Sequence, residues 1–335
     1  MTDSAKSNIT GALLSLLAFG VFATHDVVVK VLGSHYAPFQ IIFFSVLFSF
    51  PLATLMLMRD KTSGTLRPVH PWWTALRTLA AVMTGFSAFY AFSVLPLAQT
   101  YAILFASPML ITILSIPVLK EKVGAHRWAA ILLGLVGVFV VLRPGATELS
   151  LGHLAAITAS VGSATASVIV RKIGRKERSA VLMLYPMVAN FVVMACILPF
   201  VYRPMPLEHL GLVGVISAFG FIAGLLTIAA YRAGDAAIVA PMQYSQILWA
   251  AGYGILFFDE TPDTFTLIGA GIIIASGLYI VLRETTRGVS RNTPVLENRS
   301  PRETGSAPRI SQMLRDRATR FPPSYESLAK DRAKH

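Results

Sequence analysis

Apolar residues arrive along this chain in blocks of about twenty, separated by short polar or basic breaks, and no block alternates in the manner of a half-buried strand. A helix needs roughly 18–25 apolar residues to cross about 30 Å of hydrocarbon, so each block reads as a transmembrane helix. Ten spans are predicted, over 10–33, 37–58, 72–94, 97–119, 125–142, 151–170, 180–201, 207–231, 236–258 and 263–282. The fold class is therefore an all-α membrane protein. The first block is too long for a signal-peptide core and has no small-residue cleavage pattern after it, so it is expected to remain in the mature chain.

Composition agrees, with 54% hydrophobic and 14% charged residues, and the charges add an orientation. With the N-terminus inside, the inner segments before the tail hold 13 Lys and Arg, whereas the outer loops hold only Lys30, Arg143 and Arg203. Cytoplasmic loops keep such an excess, so both termini are predicted to be cytoplasmic in a multi-pass protein of the inner membrane. This bias, with twelve Lys and Arg against six acids in residues 283–335, explains the net charge of +12 without nucleic acid. The tail is rich in Pro, Ser, Arg and Glu and is expected to be disordered. Its stretch RISQMLRDRATRF, from Arg309, spaces Ile310, Met313, Leu314 and Phe321 among arginines, which suits contact with anionic lipid. The PPSY at Pro322–Tyr325 fits the short pattern of a WW-domain ligand. One cysteine, Cys196, allows neither an intramolecular disulfide nor a thiol-ligated cluster.

The chain repeats itself. A shift of about 140 residues lays AFSVLPLAQTYAILFASPMLITILSIPVLKEK, from Ala91, over AYRAGDAAIVAPMQYSQILWAAGYGILFFDET, from Ala230, with Glu121 over Glu260. Similar shifts place VVLRPG at Val140 over IVLRET at Ile280, and VVVKVLG at Val28 over VIVRKIG at Val168. Five spans per half is an odd number, so the second half enters the membrane in the opposite sense. Inverted repeats of this kind recur in secondary transporters, with the substrate near the midplane between the halves.

Each half closes with LKEK or FFDE and then a Gly-rich span, ILLGLVGVFVVL or IGAGIIIASGLYIVL. In these features the chain resembles the paired EamA domains of the drug/metabolite transporter superfamily over about residues 10–283. The resemblance implies a cytoplasmic N-terminus at 1–9, a first EamA repeat at 10–142, a second at 151–283 and the basic tail at 284–335. APMQYSQILWA, from Ala240, and the HDVVVK of the first span resemble importers of riboflavin and carriers of S-adenosylmethionine. What this implies is alternating-access transport of a small organic metabolite, most nearly riboflavin uptake. S-adenosylmethionine uptake, or export of an amino acid or other metabolite, is the alternative within the same fold.

Polar residues inside the spans are the candidates for function. Asp at a helix centre costs about 2.5–3.5 kcal/mol on insertion scales, so Asp26 needs a partner and a place facing the bundle interior or water. Lys30, four residues on, is that partner by spacing. The pair reads either as self-neutralising near the outer mouth or, with His25, as a coupling or gating group. Ser167 stands opposite Asp26 in the repeat, so the charge is not demanded by symmetry. Pro108 and Pro241 break the fourth and ninth spans, which membranes tolerate only where protein or cavity water serves the freed carbonyls. Tyr244, Gln246, Trp249 and Gln243 in the ninth span, then Tyr101 and Tyr90, are candidate substrate contacts, because a planar heteroaromatic ligand wants stacking rings and amides. As plain structure they would fill the core and join helices. Asn190 is predicted to bond between helices and Arg77 to snorkel to the surface. Glu121 and Glu260 are predicted to face water at span ends. Gly134, Gly137, Gly269, Gly271 and Gly277 suit a tight helix pair, within the chain or across a homodimer.

An integral membrane enzyme is the rival class, but HExxH, a Ser-His-Asp arrangement, a Walker loop and clustered His or Cys ligands are all absent from the sequence. No catalytic residue, cofactor or metal is assigned.

Overall fold

The computed structural model describes residues 3–58, 66–120, 123–144, 150–174, 176–234 and 236–287. Among them the elements are α1 Asp3–Gly33, α2 Pro38–Met58, α3 Pro71–Val94, α4 Leu97–Leu104, α5 Ser107–Leu119, α6 Ala125–Leu142, α7 Leu151–Ile173, α8 Ser179–Val201, α9 Leu207–Ala233, α10 Ala236–Val239, α11 Ser245–Phe258 and α12 Thr264–Arg287, with a 3-10 turn at Ala240–Tyr244 before α11. No strand occurs among the described residues. Among the described residues, six segments are long and apolar enough to cross a membrane: Ile9–Gly33, Pro71–Val94, Leu97–Leu119, Leu151–Ile173, Ala180–Val201 and Leu207–Tyr231. Shorter apolar helices cover Pro38–Thr54, Trp128–Leu142 and Thr264–Tyr279. The C-terminal tail with its Arg309–Phe321 and PPSY stretches, and Glu121, lie outside the described residues.

Two predicted spans are interrupted, each near its proline. Pro108 has no N–H for the carbonyl of Leu104, and Ser107 Oγ donates to that oxygen instead at 2.7 Å. The neighbouring carbonyl of Ile103 accepts from Ser160 Oγ of α7 at 2.9 Å. In the other half, Val239 O, just before Pro241, accepts from Ser15 Oγ of α1 at 3.1 Å. The first helix of each half thus sends a serine hydroxyl into the break of the other half. Backbone oxygens at membrane depth are served by protein, which is the condition for breaking a helix there.

Contacts give the running directions. Gly11 of α1 lies against Gly234 at one end of the bundle, while Lys30 and Gly33 meet Leu95 and Ser93 at the opposite end. Helix α7 starts at that opposite end, with Gly152 against Val94 and Leu95, and returns to place Lys172 over the Trp73 ring and against Val118 O. The first helices of the two halves therefore run in opposite senses. Packing follows the same symmetry: α1 lies along α9 and α7 along α3, while α2 meets α8, α4 meets α11 and α6 meets α12. Lys120 (φ 57°) and Asp259 (φ 52°) close α5 and α11 in the left-handed conformation, about 140 residues apart like the sequence repeat.

The α6–α12 pair uses the glycines within the chain. A Cβ on Gly269 would lie 2.6 Å from Gly137 O, and one on Gly137 would lie 2.9 Å from Gly269 O. Gly134 sits against Met109 and Ser276, and Gly277 against the Tyr244 ring. Gly271 alone of the five opens onto space.

Candidate functional site

Asp26 is 1% exposed on α1, and its carboxylate is held from two sides. His25 Nδ1 lies 2.8 Å from Oδ1, and the Tyr101 hydroxyl of α4 donates to Oδ2. Tyr101 is itself buried, with Phe92 edge-on at 5.3 Å and Phe105 at 6.0 Å, so packing fixes its hydroxyl. The His25 ring meets Phe89 of α3 edge-on at 6.1 Å. Phe105 carries the aromatic chain on to Tyr244, edge-on at 5.1 Å. His25, Asp26, Tyr101 and Tyr244 are brought into one buried strip between the halves.

Lys30 departs from the expectation. Its Nζ makes an ion pair with Glu260 at 2.5 Å, donates to Leu95 O at 2.6 Å and lies 5.2 Å from the Phe258 ring. Glu260 in turn accepts from Leu97 N–H at 3.1 Å and is 22% exposed, so it does not simply face water. The reason is that α3 ends beside Pro96 and leaves Leu95 O and Leu97 N–H at the mouth, where a lysine and a carboxylate from opposite halves serve both. Lys30→Met would leave Glu260 without its cation, and breaking a buried pair costs about 3–5 kcal/mol, less where the carboxylate is 22% exposed. The expected result is a severalfold drop in membrane-inserted protein on immunoblots, reversed by Lys30→Met/Glu260→Gln.

Further contacts between the halves tie this end together. Gln40 Nε2 donates to Arg203 O at 2.7 Å, Arg203 N–H donates back to Gln40 Oε1 at 2.9 Å, and the Tyr36 hydroxyl pairs with His209 Nδ1 at 2.7 Å. A cavity of about 40 Å³ beside Gln99, Gly254, Glu260 and Asp263 has room for a water molecule, far below what a metabolite needs. Tyr36, Gln40 and His209 are not singled out by the sequence because none lies within a span centre.

The remaining candidates divide. Tyr244 is buried against Gly277 and bonds Gln243, and so serves packing between α11 and α12. Gln246 is 2% exposed and its Nε2 has no hydrogen-bond partner. Trp249 is 41% exposed, lies 3.3 Å from where a Gly20 Cβ would stand, and stacks on Tyr253, whose hydroxyl meets Thr24 Oγ1 at 3.0 Å. Tyr90 is half-buried and stacks on Phe86, which stacks on Phe39 of α2 at 4.5 Å. Arg77 does not snorkel: it is 2% exposed and donates to Leu182 O, the carbonyl that Pro186 leaves open four residues on. Asn190 bonds within its own helix, Nδ2 to Pro186 O at 3.1 Å, rather than across to another.

Two inverted helical halves, a buried carboxylate on the first helix and one end closed by contacts across the halves are features of a membrane carrier. The chain belongs to the EamA-like transporter family, whose model matches residues 9–143 and 150–282. It is 28% identical over 284 residues to an S-adenosylmethionine uptake transporter of Rickettsia bellii, covering 85% of this chain and 97% of that one. It is 26% identical over 293 residues to a riboflavin transporter of Rhizobium johnstonii, covering 83% and 93%. A pseudopaline exporter of Pseudomonas aeruginosa is 25% identical over 286 residues, covering 83% and 98%. A crystal structure at 18% identity shares the fold with a TM-score of 0.56, covering 85% of this chain and 99% of its own.

Proposed function

We propose that this chain is a ten-span secondary carrier of the inner membrane that imports a small heteroaromatic metabolite by alternating access. The observation that supports it most is the buried Asp26, braced by His25 and Tyr101, on a helix whose counterpart in the other half runs the opposite way. Inverted-repeat carriers hold their cargo at such a place, where the halves meet. The mouth with Lys30, Arg143 and Arg203 is the external one, since Arg77, Arg171, Lys172, Lys176 and Arg178 gather toward the other end. Both termini are then cytoplasmic, with repeats at 10–142 and 151–283, a short segment 1–9 and the tail 284–335. Outer opening requires Lys30 to leave Glu260 and Gln40 to leave Arg203. The basic tail suits the anionic inner leaflet.

For substrate, a buried carboxylate beside aromatic rings favours a metabolite with positive charge near its ring, as in the sulfonium of S-adenosylmethionine. Riboflavin is the second reading, supported by the relative of that name and by the Gln243–Trp249 stretch that supplies amides and rings. The test is uptake of labelled S-adenosylmethionine and labelled riboflavin by cells lacking their own routes for both. Saturable accumulation of one, competed by its unlabelled form, is the expected result. Protein that reaches the membrane and accumulates neither would sink both substrates, and loaded vesicles would then be assayed for export.

A further inference from the structure

The His25 imidazole is 1% exposed, and its two nitrogens are treated differently. Nδ1 is bound to Asp26 Oδ1 at 2.8 Å, whereas Nε2 is buried with no hydrogen-bond partner among the described residues. A buried ring nitrogen left open is costly, so an apolar residue would serve better if packing were its only duty. The carboxylate decides which nitrogen carries the proton. Asp26 accepts from the Tyr101 hydroxyl on Oδ2 and takes the Nδ1–H on Oδ1, so in the neutral ring Nε2 is the lone-pair acceptor. Tyr101 is locked between Phe92 and Phe105, so the tautomer is set by a chain of packed groups and does not wait for a ligand. On α3, the Phe89 that the ring meets edge-on is flanked by Phe86 and Tyr90, whose half-buried rings continue to Phe39.

We infer that His25 Nε2 faces the transport path and accepts a hydrogen bond from an N–H group of the carried metabolite, an exocyclic amino or ring imino group. This rests on the reading of the chain as a metabolite carrier. It makes His25 a specificity determinant, and Asp26 and Tyr101 the residues that position it. A metabolite offering only acceptors at that point would meet a lone pair and be rejected.

Diethyl pyrocarbonate acylates unprotonated imidazole nitrogens, and mass spectrometry reads each histidine separately. In vesicles carrying the full chain, His25 should be modified more slowly than the exposed His35, and a transported metabolite should protect His25 while leaving His35 reactive. A His25 that stays unmodified while His35 reacts overturns the inference, as does modification unprotected by a metabolite that the same vesicles transport. Vesicles that transport neither S-adenosylmethionine nor riboflavin sink the substrate reading alone, and the reactivity of His25 still decides whether Nε2 faces the path. Two variants give a second measurement. His25→Asn keeps a group near Nδ1 and removes the one at Nε2, so the half-saturating concentration should rise about tenfold. His25→Gln places an amide oxygen near Nε2 and should stay within about threefold. Equal losses in the two variants would mark the ring as a packing element.

Discussion

Exchanging Asp26 for alanine is expected to reduce uptake by about ten- to a hundredfold while the protein still reaches the membrane. The estimate takes about 1.5–3 kcal/mol for hydrogen bonds to a charged group and about 1.4 kcal/mol per factor of ten. Alanine would strand the Tyr101 hydroxyl and His25 Nδ1, the two groups that now hold the carboxylate. Asp26→Asn separates two roles. The amide keeps the shape and a bond to Tyr101 but cannot take up and release a proton. If Asp26 carries a coupling proton, the asparagine chain should transport at a rate that no longer varies with external pH. Uptake measured between pH 5 and 8 decides it: a retained pH profile places the coupling group elsewhere.

Gly269→Leu should remove most of the folded protein. A Cβ there would lie 2.6 Å from Gly137 O and 3.1 Å from Val141 N, and both are backbone atoms that cannot rotate away. Helix α12 would have to move off α6, with a cost at or above the roughly 1–3 kcal/mol usual for overpacking a core. Gly271, two residues along the same helix, has nothing within 4 Å of its Cβ position, so Gly271→Leu is the control. Thermal unfolding of detergent-purified protein should show a clear fall in midpoint for the first variant and little change for the second. Equal midpoints would mean that α6 and α12 do not meet through these glycines.

The helices were legible because a bilayer leaves the backbone few choices: blocks of apolar residues at membrane depth must bond internally, and a helix does so within one segment. The two interruptions could also be read, since Pro108 and Pro241 announce them. What could not be read was which residue answers which. Asp26 and Lys30 looked like partners because four residues is a helix-face spacing, yet Lys30 pairs with Glu260, 230 positions away. The sequence misplaces Arg77 and Glu260 for one reason: closeness to a span end is not exposure. Each is drawn inward by a backbone group left open beside a proline, Arg77 by Leu182 O opposite Pro186 and Glu260 by Leu97 N–H after Pro96. Tyr101 and Asp26 were both candidates, but only the fold puts one hydroxyl on the other's carboxylate.

The serines that serve the helix breaks bear on how such a chain is made. During synthesis the first half is made before Ser160 exists, so the carbonyl of Ile103, which accepts from Ala106 N–H at 3.0 Å, gains its second donor only when α7 arrives. The second half meets the converse situation. Its open carbonyl at Val239 is answered by Ser15, which was inserted at the very beginning. Neither half is self-sufficient at its own weak point. A nascent chain released before both halves are inserted would lack the bonds that Ser15 and Ser160 carry to the breaks of the opposite halves.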